Sequence, residues 1–167
     1  MAITTDMVRT LRERSGAGIM DCKKALEQSN GDVEKAEEFL RAKGIASAEK
    51  KATRATNQGL VESYVHSGGR IGAMVELNCE TDFVSRTPDF KALAHNLAMQ
   101  VAAMKPKYLD RSEMPAESAE NPEEVCLLQQ PFIRDAGRSI QDLVTELTAK
   151  IGENIRVKRF SRFELGE

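Results

Sequence analysis

The stretch Asn78–Arg86 is a short polar turn held between two strongly patterned segments, and it constrains the fold more than any other part of the chain. Before it, the apolar alternation from Ile71 to Leu77 reads as a strand. After it, Thr87-Pro88-Asp89 reads as a helix start, with Thr87 at the N-cap and Pro88 at the first helical position. The turn itself carries an aromatic side chain, Phe83, beside a carboxylate, Asp82. Two readings are open. In the first, Phe83 tucks back into the core, as most Phe side chains do, and Asp82 caps the turn. In the second, a rigid strand–helix junction pushes an apolar ring and a charge outward into a partner.

Upstream of this junction the pattern is helical. Thr4-Thr5-Asp6 offers N-caps, and Val8 and Leu11 follow at helical spacing to about Ser15. Gly16-Ala17-Gly18 is a turn; Asp21 with Met20, Ala25 and Leu26 then predicts a second helix, closed by Asn30-Gly31. Asp32 caps a third helix with Val33, Ala36 and Leu40 on its apolar face and Gly44 as its expected stop. Residues 1–45 therefore read as a minimal three-helix module, too small for enzyme chemistry but able to present a helix end to a partner. From Ile45 to Asn57 the composition turns to Ala, Lys, Glu and Arg, which predicts a solvated connecting helix over 46–58.

The remainder, 59–167, alternates strand and helix signals. Leu60–His66 and Arg70–Leu77 pair around a Ser67-Gly68-Gly69 turn. Phe90, Leu93, Ala94, Leu97, Val101 and Met104 trace a long amphipathic helix ended by Lys105-Pro106. Asp110–Glu124, with two prolines and five glutamates, reads as an exposed loop, and Val125–Phe132 as at best a short edge element interrupted by Pro131. Ser139 with Asp142 opens a last helix closed by Gly152, and Ile155–Leu165 is a final strand whose alternation slips after Val157, the mark of a bulge. The expected class is α+β: a three-helix module, a linker helix and an α+β core with an antiparallel sheet.

Composition removes several functions. A formal charge of −2 argues against a general nucleic-acid binder, and 5% aromatics without Trp leave little for base stacking. Three widely spaced cysteines, Cys22, Cys79 and Cys126, fit free thiols in a reducing compartment, and with no signal-peptide pattern or long apolar run the expected location is cytoplasmic, away from membranes.

The motifs of catalysis are missing as well. There is no G-x-S-x-G, and no G-x-x-x-x-G-K-[ST]; Gly16-Ala17-Gly18 follows a helix and has Asp21 where a dinucleotide loop needs its third glycine. Cys79, Glu80 and Asp82 make a poor metal site without a histidine. Of the two histidines, His95 fits a structural or surface role, and His66, ending a strand at a hairpin, is placed to touch a partner. Arg156, Lys158, Arg159 and Arg162 on one strand read as edge protection, with a phosphate patch as the alternative. The expectation is a protein that binds, with no cofactor, no metal and no covalent chemistry.

Four separated stretches, in order, carry a resemblance: Leu11–Leu26, Glu76–Val84, Ala149–Ile155 and Arg159–Gly166. Together they resemble the bacterial translation elongation factor Ts family, in its short form. The resemblance implies a guanine-nucleotide exchange factor for elongation factor Tu, acting without a cofactor. The N-terminal helices would then be similar to ubiquitin-associated domains and dock through Arg12, Ile19 and Met20, Ile19 replacing a Met common in the family. The Thr81–Val84 turn would do the central work, with Asp82 and Phe83 intruding near the magnesium site of Tu. His66 resembles a family position that faces Tu. Short members resembling this chain act as homodimers. The duplicated core half and helical excursion of long members have no match here, and the 115–125 region is contracted. Ser161 stands where a short relative can have a cysteine, so no disulfide-linked dimer is expected. Two rivals remain. One is a non-catalytic adaptor, a ubiquitin-associated-like module that binds some other protein through its Gly16-Ala17-Gly18–Met20 surface. The other is an RNA-associated accessory protein using Arg156–Arg162, which would show steep salt dependence.

Overall fold

The computed structural model describes residues 3–167; Met1 and Ala2, the start of the expected N-terminal module, lie outside it. In chain order it forms α1 (Thr5–Ser15), α2 (Ile19–Gln28), α3 (Val33–Lys51), β1 (Gln58–Val65), β2 (Ile71–Cys79), α4 (Asp82–Ser85) and α5 (Pro88–Met104). Then come α6 (Pro122–Val125), β3 (Pro131–Phe132), β4 (Asp135–Ser139), α7 (Ile140–Ile151) and β5 (Arg156–Glu164). The fold is α+β, with an antiparallel three-stranded sheet in the order β1-β2-β5. No helix among the described residues is long and apolar enough to cross a membrane.

Helix starts follow side-chain capping. Thr4, Asp32, Thr87 and Ser139 each accept a hydrogen bond from a backbone N–H in the first turn, and Ser139 with Asp142 forms a full capping box. Gly16 and Gly152 close α1 and α7 in the left-handed conformation. Leu11, Cys22, Ala25, Leu26, Ala36 and Leu40 form one apolar cluster among α1, α2 and α3. Met20, part of the pattern that predicts α2, is exposed, and Cys22 takes the inward position one turn before Ala25 and Leu26.

The expected stop at Gly44 is absent. The helix α3 continues through it to Lys51, so the connecting stretch is helical only that far, and the chain is irregular before β1. Tertiary packing outweighs the ~1 kcal/mol cost of a mid-helix glycine. A Cβ at Gly44 would stand 3.2 Å from the Cβ of Ala149, so the missing side chain is what lets α3 and α7 approach. Arg41 on the same helix donates to Asp142 at 3.1 Å, adding a polar tie to α7.

The second and larger cluster lies between the inner face of the sheet and helices α5 and α7. It includes Ala73, Val75, Leu77 and Cys79 from β2, Phe90, Leu93, Leu97 and Val101 from α5, and Ile140, Val144 and Leu147 from α7. The slip after Val157 is real: Leu77 pairs with Val157 and Glu76 with Arg159, leaving Lys158 as the extra residue. The stretch 110–124 holds more structure than its composition predicts. A 3-10 turn spans Arg111–Glu113, and Asn121 accepts from the N–H of Glu123 to start α6 at Pro122. Beneath it, Gln100 and Gln130 are fully buried and bond each other; Gln130 also donates to the carbonyl of Glu124 at 2.7 Å, pinning this segment to α5. Strand β4, absent from the sequence expectation, pairs with β3.

The basic residues of β5 do not form one patch. Arg162 turns inward, where its Nε donates to the carbonyl of Ala102 and its guanidinium meets Glu164 at 2.7 Å. Arg159 pairs across the sheet with Glu76 at 2.7 Å.

Gly59 (φ 152°) runs against β2, where a Cβ would collide with the carbonyl oxygen of Leu77 and lie 2.8 Å from the Cα of Asn78. Gly59→Ala is expected to lower the unfolding free energy by about 1–3 kcal/mol, the scale of an overpacked contact. Urea unfolding followed by circular dichroism checks this, and an unchanged midpoint would refute the close approach.

Candidate functional site

Strand β2 delivers the chain directly into the Thr81–Val84 turn. Thr81 is in extended conformation at the N-cap of α4, and four helical residues follow before Thr87 starts α5. Val84 is buried against the sheet, 8% exposed, while Phe83 beside it is 80% exposed. This overturns the first reading, in which Phe83 packs inward. A helix turns about 100° per residue, so neighbours cannot both face the core. Val84 takes the inward position, and the ring of Phe83 is left in solvent.

The rest of the turn is tightly bonded. Asp82 does not cap it; its carboxylate receives the Arg86 guanidinium at 2.7 Å, an i,i+4 pair. The hydroxyl of Ser85 donates to the carbonyl of Asp82, and that of Thr87 to the carbonyl of Val84, both at 2.8 Å. Thr81 is gripped from two directions. Its backbone N–H and its hydroxyl donate to the two oxygens of Glu153, at 3.0 and 2.7 Å, and its carbonyl accepts from the thiol of Cys79 at 3.1 Å. Burial, with the negative charge of Glu153 adding to it, pushes the Cys79 thiol up to about 11, so at neutral pH it stays protonated and able to donate.

The other expected positions lie elsewhere. Arg12 is exposed in the last turn of α1, and Ile19 and Met20 are exposed in the first turn of α2, 55% and 64%. Arg12 stands on one side of the Gly16–Gly18 connection and Ile19 and Met20 on the other, and they present one charged and two apolar side chains to solvent. His66 is exposed where β1 ends, with its Nδ1 3.1 Å from the Tyr64 hydroxyl. Because β2 runs the length of the sheet between them, His66 and the Thr81–Val84 turn stand roughly 25 Å apart. His95 stays on α5, contacting Glu62 at 3.3 Å and the Tyr64 ring edge-on. No group of three His, Cys, Asp or Glu side chains suited to a metal ion occurs among the described residues.

Phe83 on a firmly held turn, and Ile19 with Met20 on α2, are large apolar side chains left in solvent. The comparisons with known proteins give this surface a context. A family model described as Elongation factor TS matches residues 15–125. The chain belongs to the elongation factor Ts family. It is thereby a translation elongation factor. Elongation factor Ts of Carboxydothermus hydrogenoformans is 50% identical, covering 99% of this chain and 90% of that protein. The protein of the same name from Thermotoga neapolitana is 49% identical, covering 100% and 99%, and that of Moorella thermoacetica 50%, covering 96% and 94%. The first two alignments run over 195 positions against 167 residues here, so these relatives carry residues within the match that have no counterpart in this chain.

Glu153 and Asn154 escaped the residue-by-residue reading. They were part of a matching stretch, but nothing local signals a partner more than 70 positions away. Arg86 was within reach, since an acid and a base four apart at a helix start are a pairing signal.

Phe83→Ala is expected to leave the unfolding midpoint unchanged, because the ring buries almost nothing. Val84→Ala should cost about 2 kcal/mol from two methyl groups removed beside the sheet. Thermal melts of the two variants separate them, and a large loss for Phe83→Ala would mean that the ring packs inward in solution.

Proposed function

We propose that the chain is a guanine-nucleotide exchange factor for elongation factor Tu, with the Thr81–Val84 turn as the wedge that loosens bound nucleotide. The observation that carries this reading is the exposure of Phe83 on a turn whose next residue is buried. An exchange factor must bind its empty partner better than the nucleotide-bound one, and nucleotide then weakens the factor by the same ratio. A thousandfold faster release takes about 4 kcal/mol off the barrier. Burying a Phe ring in the partner supplies roughly 1.5–3 kcal/mol of that. The carboxylate of Asp82 adds a charge beside the ring, where it acts on the groups that hold magnesium. Arg12, Ile19 and Met20 form a separate contact, on a three-helix module similar in plan to ubiquitin-associated domains. It fixes the factor on Tu without touching nucleotide. His66 lies at the far end of the sheet, so it serves as an outlying contact. No covalent chemistry is involved, and the setting is the cytoplasm.

The same reading includes a homodimer. The outer face of the sheet is left uncovered: Val61, Val65, Met74, Phe163 and Leu165 are exposed, and Val65 and Phe163 flank Gly72 across the register. A second copy covers such a face by two-fold symmetry. Phe163→Asp is expected to convert a dimer to a monomer in sedimentation equilibrium while leaving the Thr81–Val84 turn intact; a wild-type chain that sediments as a monomer refutes this part.

The decisive experiment is release of a fluorescent GDP from elongation factor Tu, with and without the chain. Catalytic acceleration is expected, lost by a hundredfold or more in Phe83→Ala, in keeping with about 3 kcal/mol of wedge energy. Absence of acceleration at any concentration would overturn the exchange reading and leave the adaptor in its place.

A further inference from the structure

The loop Gly152–Ile155, whose Glu153 grips Thr81, bonds to the entry of the candidate wedge at more than one residue. Glu153 takes the N–H and the hydroxyl of Thr81, one on each carboxylate oxygen. One residue on, the Asn154 N–H donates to Glu80 Oε1 at 2.6 Å. The Asn154 side chain, itself buried, donates to the carbonyl of Arg54 at 2.8 Å, in the connection that leads from α3 into β1. Thus one loop ties together Glu80 just after β2, the N-cap of α4 and the connection that enters β1.

A four-residue helix has no stability of its own, because nucleation costs more than one turn of hydrogen bonds returns. Its apolar anchor is Val84 alone, since Phe83 faces solvent. Burial of Val84 decides that Phe83 faces outward, and the entry angle at Thr81, held by Glu153 together with the Cys79 thiol, sets how the ring is aimed. Hydrogen bonds to a carboxylate are about twice as strong as neutral ones. A wedge that is already ordered before it meets its partner avoids the entropy of ordering on binding.

We infer that Glu153 is a positioning residue for the Thr81–Val84 turn, holding Phe83 in its presented direction so that binding energy goes into displacing the partner's groups. This rests on the reading of the turn as an exchange wedge. Removing the carboxylate takes no apolar surface from the core, so its effect falls on the order of the turn and not on the fold. The conservative variant differs from deletion: in Glu153→Gln the new amide oxygen can accept the Thr81 N–H while the amide NH₂ donates to the hydroxyl, which rotates to accept.

Two measurements test this on the full chain. Amide hydrogen exchange of the free protein, read by mass spectrometry over residues 80–86, is expected to quicken about tenfold in Glu153→Ala and to return near the wild-type value in Glu153→Gln. Stimulated GDP release from elongation factor Tu is expected to fall about tenfold in its maximal rate in Glu153→Ala, with little change in the half-saturating concentration. The double variant with Phe83→Ala should be no slower than Phe83→Ala alone, because both act through one ring. Unchanged protection over 80–86 in Glu153→Ala overturns the inference whatever Tu does. So does full exchange activity in Glu153→Ala where Phe83→Ala has lost it, an outcome that leaves the exchange reading standing. A wild-type chain that does not stimulate release sinks the exchange reading instead, and the hydrogen-exchange result then decides the positioning role by itself. Should Glu153→Ala unfold, Thr81→Val, which replaces the hydroxyl by a methyl and keeps the N–H bond to Glu153, stands in for it with changes of the same sign and smaller size.

Discussion

The pairing of β2 with strands on both its sides is the constraint on which the rest of the molecule depends. As the central strand it turns Ala73, Val75, Leu77 and Cys79 into the core, where α5 and α7 cover them. A strand buried on one face and paired along both edges cannot slip by one residue without reversing its whole inner face. The position and heading of its last residue, Cys79, are thereby fixed, and the turn that follows starts from a rigid point. Val84 closes that turn against the sheet, and the ring next to it has nowhere to go but outward.

A presented aromatic is normally a cost, since burying such a ring is worth about 2 kcal/mol. Here the loss falls on a single residue, and the surrounding turn is bonded more densely than a loop of its size requires. Thr81, Asp82, Ser85 and Thr87 each make a short hydrogen bond within the turn or to the neighbouring loop. The α3–α7 approach at Gly44 and Ala149 works on a larger scale in the same way. A missing side chain lets the helix that carries the N-terminal cluster sit closely on the one whose end holds the turn. The exposed apolar pair on α2 and the Thr81–Val84 turn are then connected through packed helices.

Much of this was legible in the chain. The caps at Thr4, Asp32, Thr87 and Ser139 were readable because capping is local chemistry, decided within four residues. The bulge after Val157 was readable because a broken alternation has few other causes. The continuation of α3 through Gly44 was not, since the reason lies in Ala149, more than a hundred positions away. The burial of Cys22 was not legible for a related cause: on a ten-residue helix, periodicity alone does not say which apolar residue turns inward. The glutamate-rich segment looked structureless because the buried Gln100–Gln130 pair that holds it is polar, and polar residues carry no burial signal in sequence.

The class of fold, the family, the main helices and the three strands of the sheet, and the turn after β2 could be read from the residues alone. Those features rest on local periodicity, capping and contiguous motifs, all of which act over a few residues. The outward direction of Phe83, the grip of Glu153 on Thr81 and the uncovered outer face of the sheet emerged with the folded chain. Each of these depends on which side of a strand or helix is already occupied, and occupancy is set by residues distant in the chain that meet only when the core closes.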